Sequence, residues 1–468
     1  MSRVLISAAH KSSGKTTVSI GLCAALKQRG LAVQPFKKGP DYIDPMWLTT
    51  ASGRTCRNLD FYLMSGDEIV ANFARYSNGA DFSLIEGNKG LYDGLNLDGS
   101  NSNAALATLL QAPVVLVIDA RGMTRGIAPL ILGYQAFDPT IRIAGVILNK
   151  LGGARHESKL RAVIEHYTDV PVIGAVHHDP RLEIVERHLG LIPSNEADAA
   201  QRRTDEIGAL IGAQVDLDRL LEVGRNAPPL PQISAATAGT NTPPVEPKVK
   251  IGLVRDRAFG FYYADDLEAL EAAGAELVTV DAVRDAKLPA VDGLFIGGGF
   301  PELLMDELEA NSTLREQLRD AIEGGLPTYA ECGGLMYLAR SLTWRGKTRQ
   351  MAGVIPGDVV MHDKPVGRGY VRLRETASHP WPNAENADAV RLAHEFHYSS
   401  LENLPAGITF AYEMERGTGI DGKHDGLVYK NLLASYSHFR SLQGYNWARR
   451  FVAHVRRVMV GGKTDGND

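Results

Sequence analysis

One stretch constrains this chain more than any other. Residues 3–9 read RVLISAA, an apolar β-like run, and pass through HKSSGKTT directly into the helix-forming TTVSIGLCAALKQRG. A strand, a tight loop and a helix in that order are the context of a phosphate loop. Gly14 lets the backbone approach a phosphate closely, and the successive N–H groups of Ser13, Gly14, Lys15, Thr16 and Thr17 make an anion nest at the helix start. Lys15 is placed to reach the outer phosphates of ATP, and the Thr16 hydroxyl to ligate Mg²⁺. The pattern G-x-x-x-x-G-K-[ST] departs at its first position, where Ala9 stands.

The pattern continues along the chain. AVQPFKK, DFSLIEG, APVVLVIDA, RIAGVILNK and PVIGAV are short apolar runs separated by helical stretches. They predict a parallel sheet with helices on both faces. Residues 226–248, NAPPLPQISAATAGTNTPPVEPK, have linker composition. Beyond them KIGLVRD, AELVTV, GLFIGGG and PTYAECGG resume the α/β pattern. The expected organisation is an ATP-binding domain over 1–225, the linker, an α/β domain over 249–460 and a flexible tail over 461–468.

With 468 residues the chain is long enough for two cores. Its net charge of −5 argues against a nucleic-acid partner. No apolar run approaches ~18 residues, so no membrane span is expected. The start carries no basic-then-apolar leader, and the three cysteines (Cys23, Cys56 and Cys332) have neither disulfide-framework nor zinc spacing. A reducing cytoplasm is the expected setting.

Carboxylates accompany the phosphate loop in two groups. PFKKGPDYIDP, read as a rigid loop after a strand, holds Lys37, Lys38, Asp41 and Asp44. LIEGNKGLYDG holds Glu86, at the carboxyl end of a strand, and Asp93. Strand ends are where open parallel sheets bind ligands. Mg²⁺ takes hard oxygen ligands, and Thr16, Asp41 and Glu86 are the candidate set. Asn149, at the end of AGVILNK, is a candidate for the nucleotide base.

A second chemistry stands after the linker. LPTYAECGGLMYLAR sets Cys332 between a strand and a helix, with Gly333 and Gly334 permitting a sharp turn that exposes a nucleophile. A thiolate attacking a carbonyl needs donors for the oxyanion. Gly298 and Gly299 of LFIGGGFPE, with Gly333, are candidates, and His438 of LLASYSHFRS is the candidate base.

Together these stretches resemble the cobyrinic acid a,c-diamide synthase family, over nearly the whole chain. The matching motifs include VQPFKKGPDYIDP, GRTCRNLD, IEGNKGLYDG, LVIDARGMTRGIAPL, GVILNKLGGARH and ERHLGLIPSNE. In the second half they include AFGFYYADDLEALEAAGAELV, GGGFPEL, AECGGLMYL, HEFHYS and LLASYSHF. The resemblance implies a ligase domain akin to dethiobiotin synthetase, followed by a glutamine amidotransferase domain of the cobyric-acid-synthase type. The implied activity is ATP-dependent amidation of tetrapyrrole carboxylates through an acyl phosphate, with glutamine or ammonia as nitrogen donor. In that amidotransferase type the site is a Cys–His pair without an acidic third member, so Cys332 and His438 alone carry over. Lys15, Thr16, Asp41, Asp44, Glu86 and Asp93 carry over in the ligase half.

Some residues depart from the family pattern. His10 and Lys11 lie in the phosphate loop, Asn88-Lys89 replaces a Val-Met pair, and His177-His178 replaces Pro-Arg. Added lysines beside the site, Lys11 and Lys89, bear on how a polycarboxylate acceptor is held. The acceptor stays open between cobyrinic or hydrogenobyrinic acid, a siroheme-type ring and a nickel sirohydrochlorin. Two readings from other classes are a partition-type ATPase switch and a metal-insertion chaperone. The expected partners are small molecules, with a homodimer as the candidate assembly.

Overall fold

The computed structural model describes residues 1–184, 186–187, 190–191, 193–194, 199–232, 248–382 and 388–464. The chain divides into two compact units, Met1–Thr240 and Asn241–Asp468. The division falls inside the expected linker, of which residues 233–247 lie outside the described residues, as do residues 188, 189, 192, 195 and 196 of the ERHLGLIPSNE motif.

The first unit is built on seven strands: β1 (Arg3–Ala8), β2 (Val33–Lys38), β3 (Arg57–Leu59), β4 (Phe82–Glu86), β5 (Val114–Asp119), β6 (Ile143–Leu151) and β7 (Val172–His177). Their order is β3-β2-β4-β1-β5-β6-β7, and every neighbouring pair is parallel. All six residues of β1 are buried, as a strand covered on both faces requires. The helix Lys15–Gln28 packs on the helix Ala200–Gly212 through small residues. A Cβ on Gly208 would stand 2.6 Å from the Ala24 Cβ, and one on Gly21 would stand 2.3 Å from Ile211 Cγ1. Arg3 is fully buried in β1, and its guanidinium donates to the carbonyls of Leu110, Gln111 and Pro228 at 2.7, 3.2 and 2.5 Å. It thereby ties residue 228 back to the first sheet.

The second unit carries a nine-stranded mixed sheet. Its parallel half runs Ala275–Val280, Val249–Val254, Gly293–Ile296, Thr328–Glu331 and Leu432–Ser435. Its antiparallel half continues through His424–Tyr429, Thr409–Arg416, Gly367–Glu375 and Arg391–His397. A separate four-stranded sheet is formed by Lys347–Gln350, Ala339–Trp344, Ile355–Met361 and Ser399–Glu402. The helix Trp447–Thr464 runs through the first part of the stretch expected as a tail, residues 461–464. Residues 465–468 lie outside the described residues. Among the described residues no helix is long and apolar enough to cross a membrane.

Candidate active sites

The first site forms at the carboxyl edge of the seven-stranded sheet. Ser12 and Gly14 have φ values of 67° and 86°, the left-handed region, and this turns the chain from β1 into the helix. A Cβ on Gly14 would lie 2.2 Å from Asn149 Nδ2, so the position has no room for a side chain. The loop is braced from β6: Asn149 Nδ2 donates to the Ser13 carbonyl at 2.9 Å, and Lys150 Nζ to the Ser12 carbonyl at 2.8 Å. Asn149, expected to read a base, therefore has its amide N–H engaged in holding the loop. Ser13 Oγ donates to the His10 carbonyl at 2.8 Å. Lys15, Thr16 and Thr17 open the helix, where backbone N–H groups lack intrahelical acceptors.

Strand register assembles the charged cluster. Lys37 of β2 pairs with Glu86 of β4, and Glu86 pairs on its other side with Ile6 of β1. Thr16 Oγ1 donates to Glu86 Oε1 at 2.6 Å and to Asp44 Oδ2 at 3.3 Å. Lys37 Nζ lies 3.1 Å from Glu86 Oε1, 3.7 Å from Asp41 Oδ2, and in direct contact with Asp44.

Two expectations change here. Lys37 and Lys38 end β2 rather than lying on a loop, and Asp44 sits in the first turn of the helix Ile43–Ser52. The second carboxylate beside Thr16, after that of Glu86, is that of Asp44, where Asp41 was expected. Asp41 Oδ1 instead accepts from the backbone N–H groups of Ile43 and Asp44 at 3.0 and 3.1 Å, closing the turn into that helix.

Burial opposes charge on Lys37, but Asp44, Glu86 and Asp41 outweigh it and raise its pKa well above the usual lysine value. Burial raises Glu86, with Lys37 opposing. At Asp44 burial pushes upward too, yet the Lys37 charge and hydrogen bond leave the net shift downward. Burial lowers Lys15, and the charge on Lys37 adds to that. Glu86 Oε2 is buried without a hydrogen-bond partner among the described residues. An unused carboxylate oxygen beside a threonine hydroxyl and a second carboxylate fits a hard divalent cation that keeps its remaining positions for phosphate and water.

The loop after β4 is organised by a residue the motifs did not single out. Asn103 is fully buried and donates to the Gly90 carbonyl at 2.8 Å and the Asn88 carbonyl at 2.5 Å, while accepting from the Asn88 N–H at 3.1 Å. Asp93 Oδ2 accepts from the Gly90 N–H at 2.9 Å, closing a turn within this loop. Lys38 Nζ donates to Asn88 Oδ1 at 3.2 Å. Burial pushes Lys38 down to about 8, with Asp60 opposing and Lys89 and Lys37 adding to the fall. Lys89 and Lys11 are both exposed. His177, one motive for a metal-chaperone reading, is paired through Nε2 with Glu157 at 2.8 Å. Among the described residues no group of three or more His, Cys, Asp and Glu side chains is placed to hold a metal.

The second site lies on the nine-stranded sheet. Cys332 follows the strand Thr328–Glu331 with φ 47° and ψ −99°, a strained conformation, and opens the helix Gly333–Leu338. Such strain over-determined by its surroundings is expected at a nucleophile elbow. Its N–H donates to the Ser435 carbonyl at 2.7 Å. Gly334 leaves no room for a side chain, since a Cβ there would meet the Ile296 carbonyl oxygen at 2.2 Å. Gly298 and Gly299 pair antiparallel with Phe261 and Phe259, and the Gly297 N–H donates to Tyr262 Oη at 2.9 Å. A Cβ on Gly333 would lie 2.9 Å from the Gly299 nitrogen, and one on Gly298 would lie 2.8 Å from His438 Cε1. The glycines, the thiol and the imidazole therefore converge.

His438 stands three residues beyond the strand Leu432–Ser435 and exchanges both main-chain hydrogen bonds with His394, at 2.7 and 3.2 Å. Burial works against its charge, but hydrogen bonds to Cys332 and Glu331 prevail and push it up to about 10. Glu331 corrects the expectation of a pair without an acid: its Oε2 lies 3.3 Å from His438 Nδ1. His394 stacks on the His438 ring at 4.9 Å between centroids, and burial holds it neutral.

The arrangement is matched by comparison with known proteins. Residues 5–192 match the CobQ/CobB/MinD/ParA nucleotide binding domain, and residues 250–445 the CobB/CobQ-like glutamine amidotransferase domain. The cobyrinate a,c-diamide synthase of Magnetococcus marinus is 46% identical over 449 residues, covering 95% of each chain. That of Methanosarcina acetivorans is 43% identical, covering 94% of this chain and 92% of its own. That of Archaeoglobus fulgidus is 40% identical, covering 96% of each. A glutamine amidotransferase domain sets the chain apart from a partition-type ATPase switch. With a phosphate-loop unit followed by a glutaminase unit, and relatives of this identity along nearly its full length, the chain belongs to the cobyrinate a,c-diamide synthase family.

Proposed function

We propose that the chain amidates the a and c acetate carboxylates of cobyrinic acid, using ATP and glutamine. The observation that carries this reading is the joining of the Thr16–Glu86–Lys37 cluster and the Cys332–His438 pair in one chain.

In the first unit an acceptor carboxylate oxygen attacks the γ-phosphorus, the bond to the β-phosphate oxygen breaks, and ADP leaves behind an acyl phosphate. Lys15 and the loop N–H groups bear the phosphate charge, and Lys37, held charged by its carboxylates, faces the same edge. Thr16, Asp44 and Glu86 would hold Mg²⁺, which when bound neutralises phosphate charge. Lys38, Lys89, Lys11 and Asp93 are candidates for contact with the acceptor.

In the second unit the Cys332 thiolate attacks the glutamine amide carbon, and His438 gives its proton to the departing ammonia. Water then hydrolyses the thioester to glutamate, with His438 as base. Backbone donors among Gly298, Gly299 and Gly333 are candidates for the oxyanion. Ammonia attacks the acyl phosphate, phosphate leaves and the amide forms. The free thiols of the chain suit a reducing cytoplasm.

The test is glutamine-dependent ADP release with cobyrinic acid, hydrogenobyrinic acid and sirohydrochlorin, with and without bound metal. Mono- and diamide products from cobyrinic acid are expected. Turnover confined to a sirohydrochlorin, or ADP release without any amide, overturns the reading.

A further inference from the structure

Glu331 and Cys332 are adjacent in sequence, yet both address His438. Side chains of successive strand residues point to opposite faces, but Cys332 leaves the strand with φ 47°, which brings the pair onto one imidazole. Glu331 Oε2 lies 3.3 Å from His438 Nδ1. Its Oε1 accepts from the Tyr329 hydroxyl at 2.6 Å and from the Phe439 N–H at 3.1 Å. The carboxylate, 3% exposed, is thus anchored on both oxygens, and His438 is 2% exposed. The chain after His438 reads Phe439, Arg440, Ser441 and offers no acid there; the Arg440 guanidinium pairs with Asp265. The ring face is covered by neutral His394.

We propose that Glu331 is a positioning residue for glutamine hydrolysis. Its carboxylate holds the His438 ring through Nδ1, so that Nε2 meets the Cys332 thiol, and it supplies the acidic third member from the strand that precedes the nucleophile. An imidazole accepting a thiol proton on Nε2 must carry its other proton on Nδ1, and a carboxylate at Nδ1 selects that tautomer and stabilises the imidazolium. The anchors from Tyr329 and Phe439 set the carboxylate's own position, which a lone acid on a mobile side chain would lack. This rests on the glutaminase reading of the second unit.

The test uses the full chain with Glu331→Gln and Glu331→Asp. Three readouts are taken: kcat and KM for glutamine hydrolysis, the pH dependence of Cys332 alkylation by iodoacetamide, and amidation with ammonium chloride. The groups facing His438 are Cys332, Glu331 and His394, while Tyr262 and Asp266 lie within electrostatic reach of Glu331. Glu331→Gln is expected to lower kcat for glutamine by about 10²-fold or more, with KM changed by less than about threefold. It should also displace the alkylation profile to higher pH. Glu331→Asp should recover part of kcat, and ammonia-dependent amidation should persist in both. A wild-type kcat, an unmoved alkylation profile, or equal loss of the ammonia-dependent reaction overturns the proposal. The last result would mark Glu331 as a prop of the fold. Wild-type protein that hydrolyses no glutamine overturns the glutaminase reading itself, which distinguishes the two failures.

Discussion

Lys37 and Glu86 stand in register on adjacent parallel strands, and their side chains meet at 3.1 Å in a fully covered part of the sheet edge. A buried charge must be paired, so neither side chain tolerates removal of the other cheaply. The same pairing places two carboxylates and a threonine hydroxyl beside the loop that would take the phosphates.

Glu86→Gln removes one of the charges that hold Lys37 and replaces one carboxylate oxygen by an amide nitrogen, which cannot ligate a cation. It is expected to raise the Mg²⁺ concentration needed for half-maximal ADP release, and to lower thermal stability by an amount set by a broken buried pair, about 3–5 kcal/mol at most. Titration of activity with Mg²⁺ checks this, and an unchanged requirement removes Glu86 from the metal assignment.

Lys15→Ala leaves the loop backbone intact but deletes its charge on the outer phosphates. ATP-dependent amidation is expected to fall on the order of 10²–10³-fold. Glutamine hydrolysis should retain measurable activity, because no atom of Cys332 or His438 depends on Lys15. ADP release at the wild-type rate would separate the loop from the chemistry.

Cys332→Ala separates nitrogen release from its use. Glutamine-dependent amide formation should vanish, while amidation with ammonium chloride continues in protein whose circular dichroism matches the wild type. Loss of both reactions in folded protein contradicts the division of labour between the units.

Gly298→Ala would place a methyl 2.8 Å from His438 Cε1. A displaced imidazole is expected to lower kcat for glutamine about 10²-fold while ammonia-dependent amidation is spared. Steady-state assays with each nitrogen source read this directly, and equal activity with glutamine shows that the ring yields without cost.

Lys38 is held down to about 8 mainly by burial, with Lys89 adding repulsion. Its charge is present below that value and lost as pH rises through it. KM for a polycarboxylate acceptor is therefore expected to rise above pH 8, and Lys89→Met should move that rise to higher pH by relieving the repulsion. The same variant, with Lys11→Ser, should alter the ratio of kcat/KM between cobyrinic acid and sirohydrochlorin more than KM for ATP. A pH profile and a ratio both unchanged by these substitutions would take the lysines out of acceptor recognition.

Most parallel strands of the first unit were legible as short apolar runs; RVLISAA, DFSLIEG and APVVLVIDA fall on β1, β4 and β5. β3 was not, since three residues within GRTCRNLD carry no period of their own and are strand only by pairing with β2. The antiparallel half of the second sheet escaped for a related reason. Strands such as Gly367–Glu375 and Thr409–Arg416 alternate buried and charged residues irregularly, and register shifts interrupt their ladder.

By itself the sequence determined the local chemistry: a glycine-lysine-threonine helix start after a strand, a cysteine before paired glycines, and the separation of the two into successive units. These depend on neighbours in the chain, whose backbone geometry is set by a few residues. Tertiary structure decided which distant side chains meet. Asp41 and Asp44 are equivalent by composition, but Asp41 is committed to the turn entering a helix, which leaves Asp44 to reach Thr16. Glu331 and His438 lie 107 positions apart and meet because parallel pairing of Thr328–Glu331 with Leu432–Ser435 brings their following turns together. Contacts of that kind arise from sheet register and burial, quantities that belong to the packed chain as a whole.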